Sequence, residues 1–173
     1  MPVWDAFMRV AHWTLVLCVI AAWFARGAAH EWMGYAALAV VLLRIVWGFA
    51  GSRYARFAQF VRSRTSTLAY AHRFLARKEE RYVGHNPLGG WMIVALLAML
   101  ILVSASGWLA TTNRYWGVEW VQDLHEALAD GLLALAFLHV GGVVYSSLRH
   151  RENLVAAMLT GRKRPPAAGD VFE

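Results

Sequence analysis

The feature that most constrains this chain is a long stretch without charge: Gly84 to Asn113 contains no Asp, Glu, Lys or Arg. A helix needs about 20 mainly apolar residues to cross the hydrocarbon core of a bilayer. Leu88–Ala110, within this stretch, is longer than that. Hydrophobic residues make up 59% of the chain, whereas soluble domains contain roughly 45–50% even with glycine counted. The stretch therefore predicts a transmembrane helix, and the composition excludes an ordinary soluble domain.

Three further apolar runs accompany it, and the four predicted spans are residues 6–26, 30–50, 87–110 and 121–148. Backbone inside a bilayer must satisfy its own hydrogen bonds, and four strands cannot close into a barrel, so the spans must be helices. The first run could also be a signal peptide, but Asp5 and Arg26 at its ends disfavour that interpretation. We therefore expect an all-α integral membrane four-helix bundle that forms one domain over residues 1–173.

The positive charge lies almost entirely on one side of these spans. The formal net charge is +6, from 17 Lys and Arg against 11 Asp and Glu. Eight of the basic residues lie in the loop 51–86, five in the tail 149–173 and one at Arg9. The positive-inside rule places such segments in the cytoplasm. We therefore expect a multi-pass membrane protein with both termini cytoplasmic. The positive charge is then explained by membrane topology and by contact with lipid. We expect no nucleic-acid partner.

Two cytoplasmic segments carry further predictions. Apolar residues interrupt the arginines of the middle loop and predict an amphipathic helix on the inner membrane surface. They are Phe57, Phe60, Val61, Leu68 and Phe74. The basic and proline-containing run Arg162–Pro166, with the small residues after it, predicts a flexible C-terminal end.

Four of the 7 histidines fall within the spans, at two shared depths. His12 and His139 lie near the inner ends of the first and fourth spans, and His30 and His125 lie near the outer ends of the second and fourth. His125 and His139 are separated by about 21 Å of helix rise and a rotation of only about 40°, so one helix face presents both. Zinc would want three or four ligands at one depth, and the single cysteine, Cys18, allows neither an iron–sulfur cluster nor a covalent c-type haem. Haem needs two axial ligands in an apolar slot, so we expect two b haems, His12 and His139 ligating the inner iron and His30 and His125 the outer.

Other residues at these depths allow more than one interpretation. Arg44 follows His30 by the same helix interval, so it lies on the same face at the inner depth. Arg44 and Arg9 could pair with haem propionates or extend to the interface. His85 is expected to cap the third span, with quinone protonation as the alternative, and Asp130 could be neutral, interfacial or part of a proton path. Several glycines could admit a flat macrocycle or simply pack helices; they are Gly34, Gly48, Gly107, Gly131, Gly141 and Gly142.

Six segments, in order, carry a family resemblance. They are RVAHW at His12, LRIVWGFAGSRYARF after the second span, GHNPLGGW before the third, VQDLHE at His125, LHVGGV at His139, and the tail RENLVAAMLTGRKR. The chain resembles the bacterial cytochrome b561 and nickel–iron hydrogenase b-type cytochrome family over nearly its whole length. The resemblance implies a four-helix, di-haem, quinone-linked electron carrier with ligands at His12, His30, His125 and His139.

We expect the chain to transfer electrons across the membrane between the quinone pool and a periplasmic redox partner, such as a c-type cytochrome or an oxidoreductase. Acidic residues on the outer side could steer a basic partner or form only a solvated rim. Three alternatives stay open: a superoxide:quinone oxidoreductase at the periplasmic face, a b-type subunit anchoring a hydrogenase-like complex, and a haem-free membrane anchor. The sequence leaves open whether the chain is an enzyme in its own right.

Overall fold

Four long helices dominate a computed structural model that describes residues 1–172. They are α1 (Ala6–Phe24), α2 (Ala28–Ala50), α5 (Pro87–Thr111) and α6 (Glu119–Arg149). All four are long and apolar enough to cross a membrane. Their ends lie within two residues of the predicted spans. The predicted all-α bundle with four membrane helices is confirmed.

Side-chain caps set where two of these helices begin. The carboxylate of Asp5 accepts a hydrogen bond from the Met8 amide at 2.8 Å and caps α1. The side chain of Asn86 accepts from the Gly89 amide at 2.7 Å and caps α5, and Pro87 takes the first helical position, where no amide hydrogen is needed. The prediction that His85 caps α5 is wrong, because the neighbouring asparagine side chain does so.

The membrane helices pack in an open row: α1 on α2, α2 on α5, and α5 on α6. Their shared core is built from Val41 of α2, Leu97 and Leu100 of α5, and Leu132 of α6. Neither α1 nor α2 packs closely along α6. The outward faces are strongly apolar, with Phe24 80% exposed and Phe137 69% exposed, as expected of helices that face lipid.

The middle loop contains a 3₁₀ turn at Arg53–Ala55 and two helices, α3 (Phe57–Phe60) and α4 (Arg64–Leu75). The predicted surface helix is α4, which leaves Leu68 and Leu75 exposed. The apolar residues at the start of the loop behave differently, because Phe60 is fully buried and α3 packs against α2 and α5. The loop therefore splits into a part that covers the bundle and a part that lies on its surface.

The C-terminal end was expected to be flexible, and the structure corrects that prediction. A short helix, α7 (Leu154–Thr160), ends at Gly161, which has a left-handed φ of 77°. Beyond it the chain folds back on the bundle. The Gly161 carbonyl accepts hydrogen bonds from the amides of Val3 and Trp4 at 2.9 and 3.1 Å. The basic tail is ordered because its charges find buried partners, which a local reading of composition does not reveal.

Candidate functional site

The structure places the imidazole of His12 on α1 opposite that of His139 on α6, with ring centroids 6.4 Å apart. At the other end of α6, the rings of His30 and His125 are 5.9 Å apart. A metal held between two imidazoles puts the ring centroids about 6 Å apart, because each metal–nitrogen bond is about 2 Å long. Both pairs that the sequence places at shared depths thus face each other across the bundle. We call them the inner pair (His12, His139) and the outer pair (His30, His125).

Hydrogen bonds fix which ring nitrogen of the outer pair is free. His30 Nδ1 lies 2.8 Å from the Ala22 carbonyl oxygen, and His125 Nδ1 lies 3.1 Å from the Val103 carbonyl oxygen and 3.1 Å from Ser106 Oγ. A carbonyl oxygen can only accept, so each Nδ1 carries the hydrogen and each Nε2 keeps its lone pair. This arrangement is the usual one around metal-bound histidines. The outer pair is therefore oriented for ligation through Nε2.

The inner pair has a different environment. His12 Nδ1 is buried and has no hydrogen-bond partner among residues 1–172. Arg44 is 5% exposed; its Nη2 donates to the Ala55 carbonyl at 3.1 Å, while its Nη1 is buried without a partner. Unpaired buried donors are costly and call for an acceptor. Arg44 is therefore a buried guanidinium that still has a free donor, as a propionate-binding role would require.

Arg9 contributes less free hydrogen-bonding capacity. Its Nη1 donates to the Leu159 carbonyl at 2.6 Å, near the end of α7. Its Nε is buried without a partner in the described chain. Arg9 therefore ties α1 to α7 and keeps one donor for another group.

A cavity of about 830 Å³, including its mouth, surrounds the outer pair. Its walls come from α1, α2, α5 and α6 and include Cys18, Gly34 and Leu132. A side chain at Gly107 would begin 2.9 Å from His125 Cε1, whereas Gly34 has open space beside it. An apolar cavity with two imidazoles in its walls suits a cofactor. The small residues therefore leave room at the outer pair.

The remaining glycines divide between the two expected roles. Gly141 and Gly142 on α6 have open space where a side chain would begin. Gly48 instead packs against the Phe57 ring, and Gly131 faces Met99. Packing therefore accounts for Gly48 and Gly131, whereas Gly141 and Gly142 have no neighbouring atoms at the position of a side chain.

The donor set fits haem better than zinc. Within residues 1–172, no three His, Cys, Asp or Glu side chains converge as a metal site. A zinc ion would lack ligands at either pair. The wide spacing of α6 from α1 and α2 leaves a slot that a flat macrocycle with two axial imidazoles would fill. Both pairs therefore offer two facing imidazoles that fit a haem, and the outer pair also has an apolar cavity beside it.

His85 occupies a position that the sequence did not predict. Its ring lies 4.5 Å from the Trp4 ring and 5.1 Å from the Phe60 ring. Burial, together with the positive charges of Lys163 and Arg44, lowers the pKa of His85 to about 3, so the ring is neutral at pH 7. The alternation of apolar and basic residues in the loop gave no signal of this contact, because its partners are distant in sequence. Asp130, by contrast, is exposed on α6.

Comparison with known proteins decides the family. The model of the prokaryotic cytochrome b561 family matches residues 3–161. The chain belongs to this family. Membership in the cytochrome b561 family implies b-type haem and electron transfer in a membrane, so the resemblance seen in the sequence is confirmed.

Two relatives of this cytochrome b561 family member share the name "Probable Ni/Fe-hydrogenase B-type cytochrome subunit". The one from Rhizobium leguminosarum bv. viciae is 23% identical over 209 aligned positions, which cover 93% of this chain and 87% of the relative. The one from Bradyrhizobium diazoefficiens is 23% identical over 162 positions, covering 79% of this chain and 65% of the relative. No solved structure matches the chain.

Proposed function

We propose that this cytochrome b561 family member binds two b haems and transfers electrons across the bacterial inner membrane, between quinone and a redox protein at the periplasmic face. The observation that carries the proposal is the pair of facing imidazoles at each end of α6. One haem at each level would divide the crossing into short steps. The family and the two hydrogenase relatives support the redox role.

The proposed roles of the protein groups follow from their contacts. When bound, a haem with two imidazole ligands supplies one-electron transfer and leaves no open iron position. The Ala22 and Val103 carbonyls hold the outer imidazoles through Nδ1, which leaves Nε2 free and would allow it to ligate haem iron. Arg44 supplies the free guanidinium donor that would bind an inner propionate. Arg9 has one donor for the same purpose.

The periplasmic partner is proposed to be an oxidoreductase of the hydrogenase type. Both named relatives are described as cytochrome subunits of such enzymes. A second opening lies over the outer pair and is lined by Glu31, Trp116 and Gln122. Electrons from a docked partner would reach the outer pair through this opening.

The first test is haem content. We expect a reduced-minus-oxidised spectrum of the purified protein to show b-type haem. Pyridine haemochrome quantification should give about two haems per chain. His139→Ala should lose the inner haem and keep the outer one. His72→Ala, at an exposed histidine on α4, is the matched control and should keep both. A colourless wild-type protein would favour the haem-free anchor.

The quinone link needs a separate test. Reduced quinol should reduce the haems of the wild-type protein under anaerobic conditions, and oxidised quinone should reoxidise them. Failure of both reactions in protein that contains haem would contradict the quinone proposal alone. Rapid reduction by superoxide would instead favour the superoxide:quinone alternative.

A further inference from the structure

The segment after α7 crosses the end of the bundle that carries the inner pair. We call residues 161–172 the C-terminal strap. The Met1 amino group donates to the Lys163 carbonyl at 2.6 Å, and the Lys163 amide donates to the Met1 carbonyl at 3.0 Å. The Val171 amide donates to the Arg81 carbonyl at 2.8 Å, and the Val83 amide donates to the Val171 carbonyl at 3.0 Å. The strap therefore joins the N-terminus to the residues just before α5.

Arg81 is the hub that holds the strap. Its side chain is 4% exposed and binds both carboxylate oxygens of Glu152, with contacts of 2.7 and 3.1 Å. Its Nη1 also donates to Asp170 at 2.5 Å. Burial alone would raise the pKa of each carboxyl. The hydrogen bond from Arg81 and the charge of Lys163 lower the pKa of Glu152, and hydrogen bonds from the Ala167 amide and Arg81 lower the pKa of Asp170. Both acids are therefore ionised at neutral pH.

Lys163 completes the network from within the strap. Its Nζ donates to the Val83 carbonyl at 3.0 Å and lies 3.7 Å from Glu152 Oε2. Burial lowers the pKa of Lys163 to about 8, with Glu152 opposing this effect. A bidentate arginine pair and a second cation around two buried acids form a charge-balanced cluster. Removing one member leaves a buried charge without its partner, so the strap should come loose as a unit.

The helix that leads into the strap, α7, contacts the helix that carries His12. Arg9 donates to the Leu159 carbonyl at 2.6 Å, and Trp13 Nε1 approaches the Met158 carbonyl at 3.4 Å. Both residues are on α1 beside His12. Lys163 Nζ lies 5.8 Å from the centre of the Trp4 ring, just before α1 begins. Within residues 1–172, the side chains of the outer pair hydrogen-bond to Ala22, Val103 and Ser106, none of which belongs to the strap.

We propose that the C-terminal strap positions the inner pair: it holds α1 so that His12 faces His139, and it closes the cytoplasmic end of the inner haem slot. The inference rests on the proposed function, since it assumes that the inner pair ligates haem. Strap residues act through α1 and are positioning residues. Releasing the strap then weakens the inner haem site and leaves the outer haem site intact.

The experiment compares two arginine variants of the full chain. Arg81→Gln breaks the buried hub, whereas Arg73→Gln breaks the Arg73–Glu80 pair, whose side chains are 41% and 40% exposed. We expect Arg81→Gln to lose the inner haem or shift its midpoint potential, with the outer haem unchanged. The two haems are assigned by comparison with His139→Ala and His125→Ala. Arg73→Gln should match the wild type.

Hydrogen–deuterium exchange provides a readout that does not depend on haem. Four backbone amides hold the strap in place: those of Val3 and Trp4 donate to the Gly161 carbonyl, that of Lys163 to the Met1 carbonyl, and that of Val171 to the Arg81 carbonyl. They should exchange slowly in the wild type and at least tenfold faster in Arg81→Gln. If Arg81→Gln fails to fold, Lys163→Met removes one donor, keeps the Arg81–Glu152 pair and should give the same pattern more weakly.

Two outcomes would overturn the inference while the proposed function stands. In one, the strap amides exchange freely but both haems keep their content and potentials. In the other, both haems are lost in parallel, which would mean that the strap supports the whole fold and not the inner pair. A wild-type protein without haem would be a different failure, because it removes the proposed function and the inference with it.

Discussion

His125 has two hydrogen-bonding neighbours at Nδ1, the Val103 carbonyl and Ser106 Oγ, whereas His12 Nδ1 has none among residues 1–172. A ligand imidazole whose Nδ1–H is bonded is more basic and more firmly oriented than one without such a bond. The two iron sites of the proposed di-haem protein would therefore differ in electronic character. The difference begins with single backbone and side-chain contacts.

Gly107 offers the sharpest test at this scale. A methyl group in Gly107→Ala would begin 2.9 Å from His125 Cε1, so the imidazole must shift. We expect the outer haem to be lost or its midpoint potential to change, with the inner haem unaffected. The measurement is haem content with a potentiometric titration. Gly131→Ala, whose methyl would meet Met99 Cε at an ordinary 3.4 Å, is the matched control.

The opposite result would be informative. Equal effects of Gly107→Ala and Gly131→Ala on the two haems would mean that close approach at Gly107 does not govern the outer site.

The pairing of the histidines was predictable from the sequence, because depth along a membrane helix follows directly from residue number. The contacts of His85 with Trp4 and Phe60 were not, because they join three segments far apart in the chain.

At the scale of elements, α6 is unusual in length. Its 31 residues span about 46 Å, whereas the hydrocarbon core is about 30 Å thick. The exposed acids Asp123 and Glu126 lie in the first two turns. The extra length lets one helix carry a histidine of each pair and still extend beyond the hydrocarbon core. The hydropathy of the sequence predicted this helix. Because its first turns are polar, the predicted start at residue 121 lies two residues after the observed start at Glu119.

The cap of α5 is a second property of an element. Asn86→Ala removes the acceptor of the Gly89 amide and should lower stability by about 1 kcal/mol, or a few degrees in thermal unfolding. Asn86→Ser keeps a capping oxygen and should restore most of the loss. Thermal unfolding in detergent measures both variants. An unchanged transition in Asn86→Ala would show that the cap contributes nothing to the folded protein.

At the scale of the whole molecule, the sequence predicted the order of the membrane helices. Apolar runs long enough to cross a bilayer are sufficient for that, whereas the side on which the loops lie, predicted from the arginines, stays a prediction. The fold of the C-terminal strap could not be predicted in this way. Its order depends on a buried cluster formed by Arg81, Glu152 and Asp170. These residues are far apart in the chain, and amino-acid composition does not indicate that they form ion pairs.

The proposed orientation can be tested with single cysteines. In a Cys18→Ser background, Asn113→Cys lies in the outer turn and Lys78→Cys lies in the middle loop, both at exposed positions. We expect an impermeant thiol reagent to label Asn113→Cys in intact spheroplasts, and Lys78→Cys only after lysis. Labelling in the reverse order would place the termini on the periplasmic side. Both variants should react in lysed membranes, which controls for accessibility.

The open row of helices also has a consequence for biogenesis. Each membrane helix packs on a neighbour that has been synthesised before it, α2 on α1, α5 on α2 and α6 on α5. The chain can thus assemble in the order in which it leaves the ribosome, without waiting for a cofactor. In the proposed di-haem protein, the inner haem would be held by the first and the last membrane helix, so it would join them only after both have been inserted.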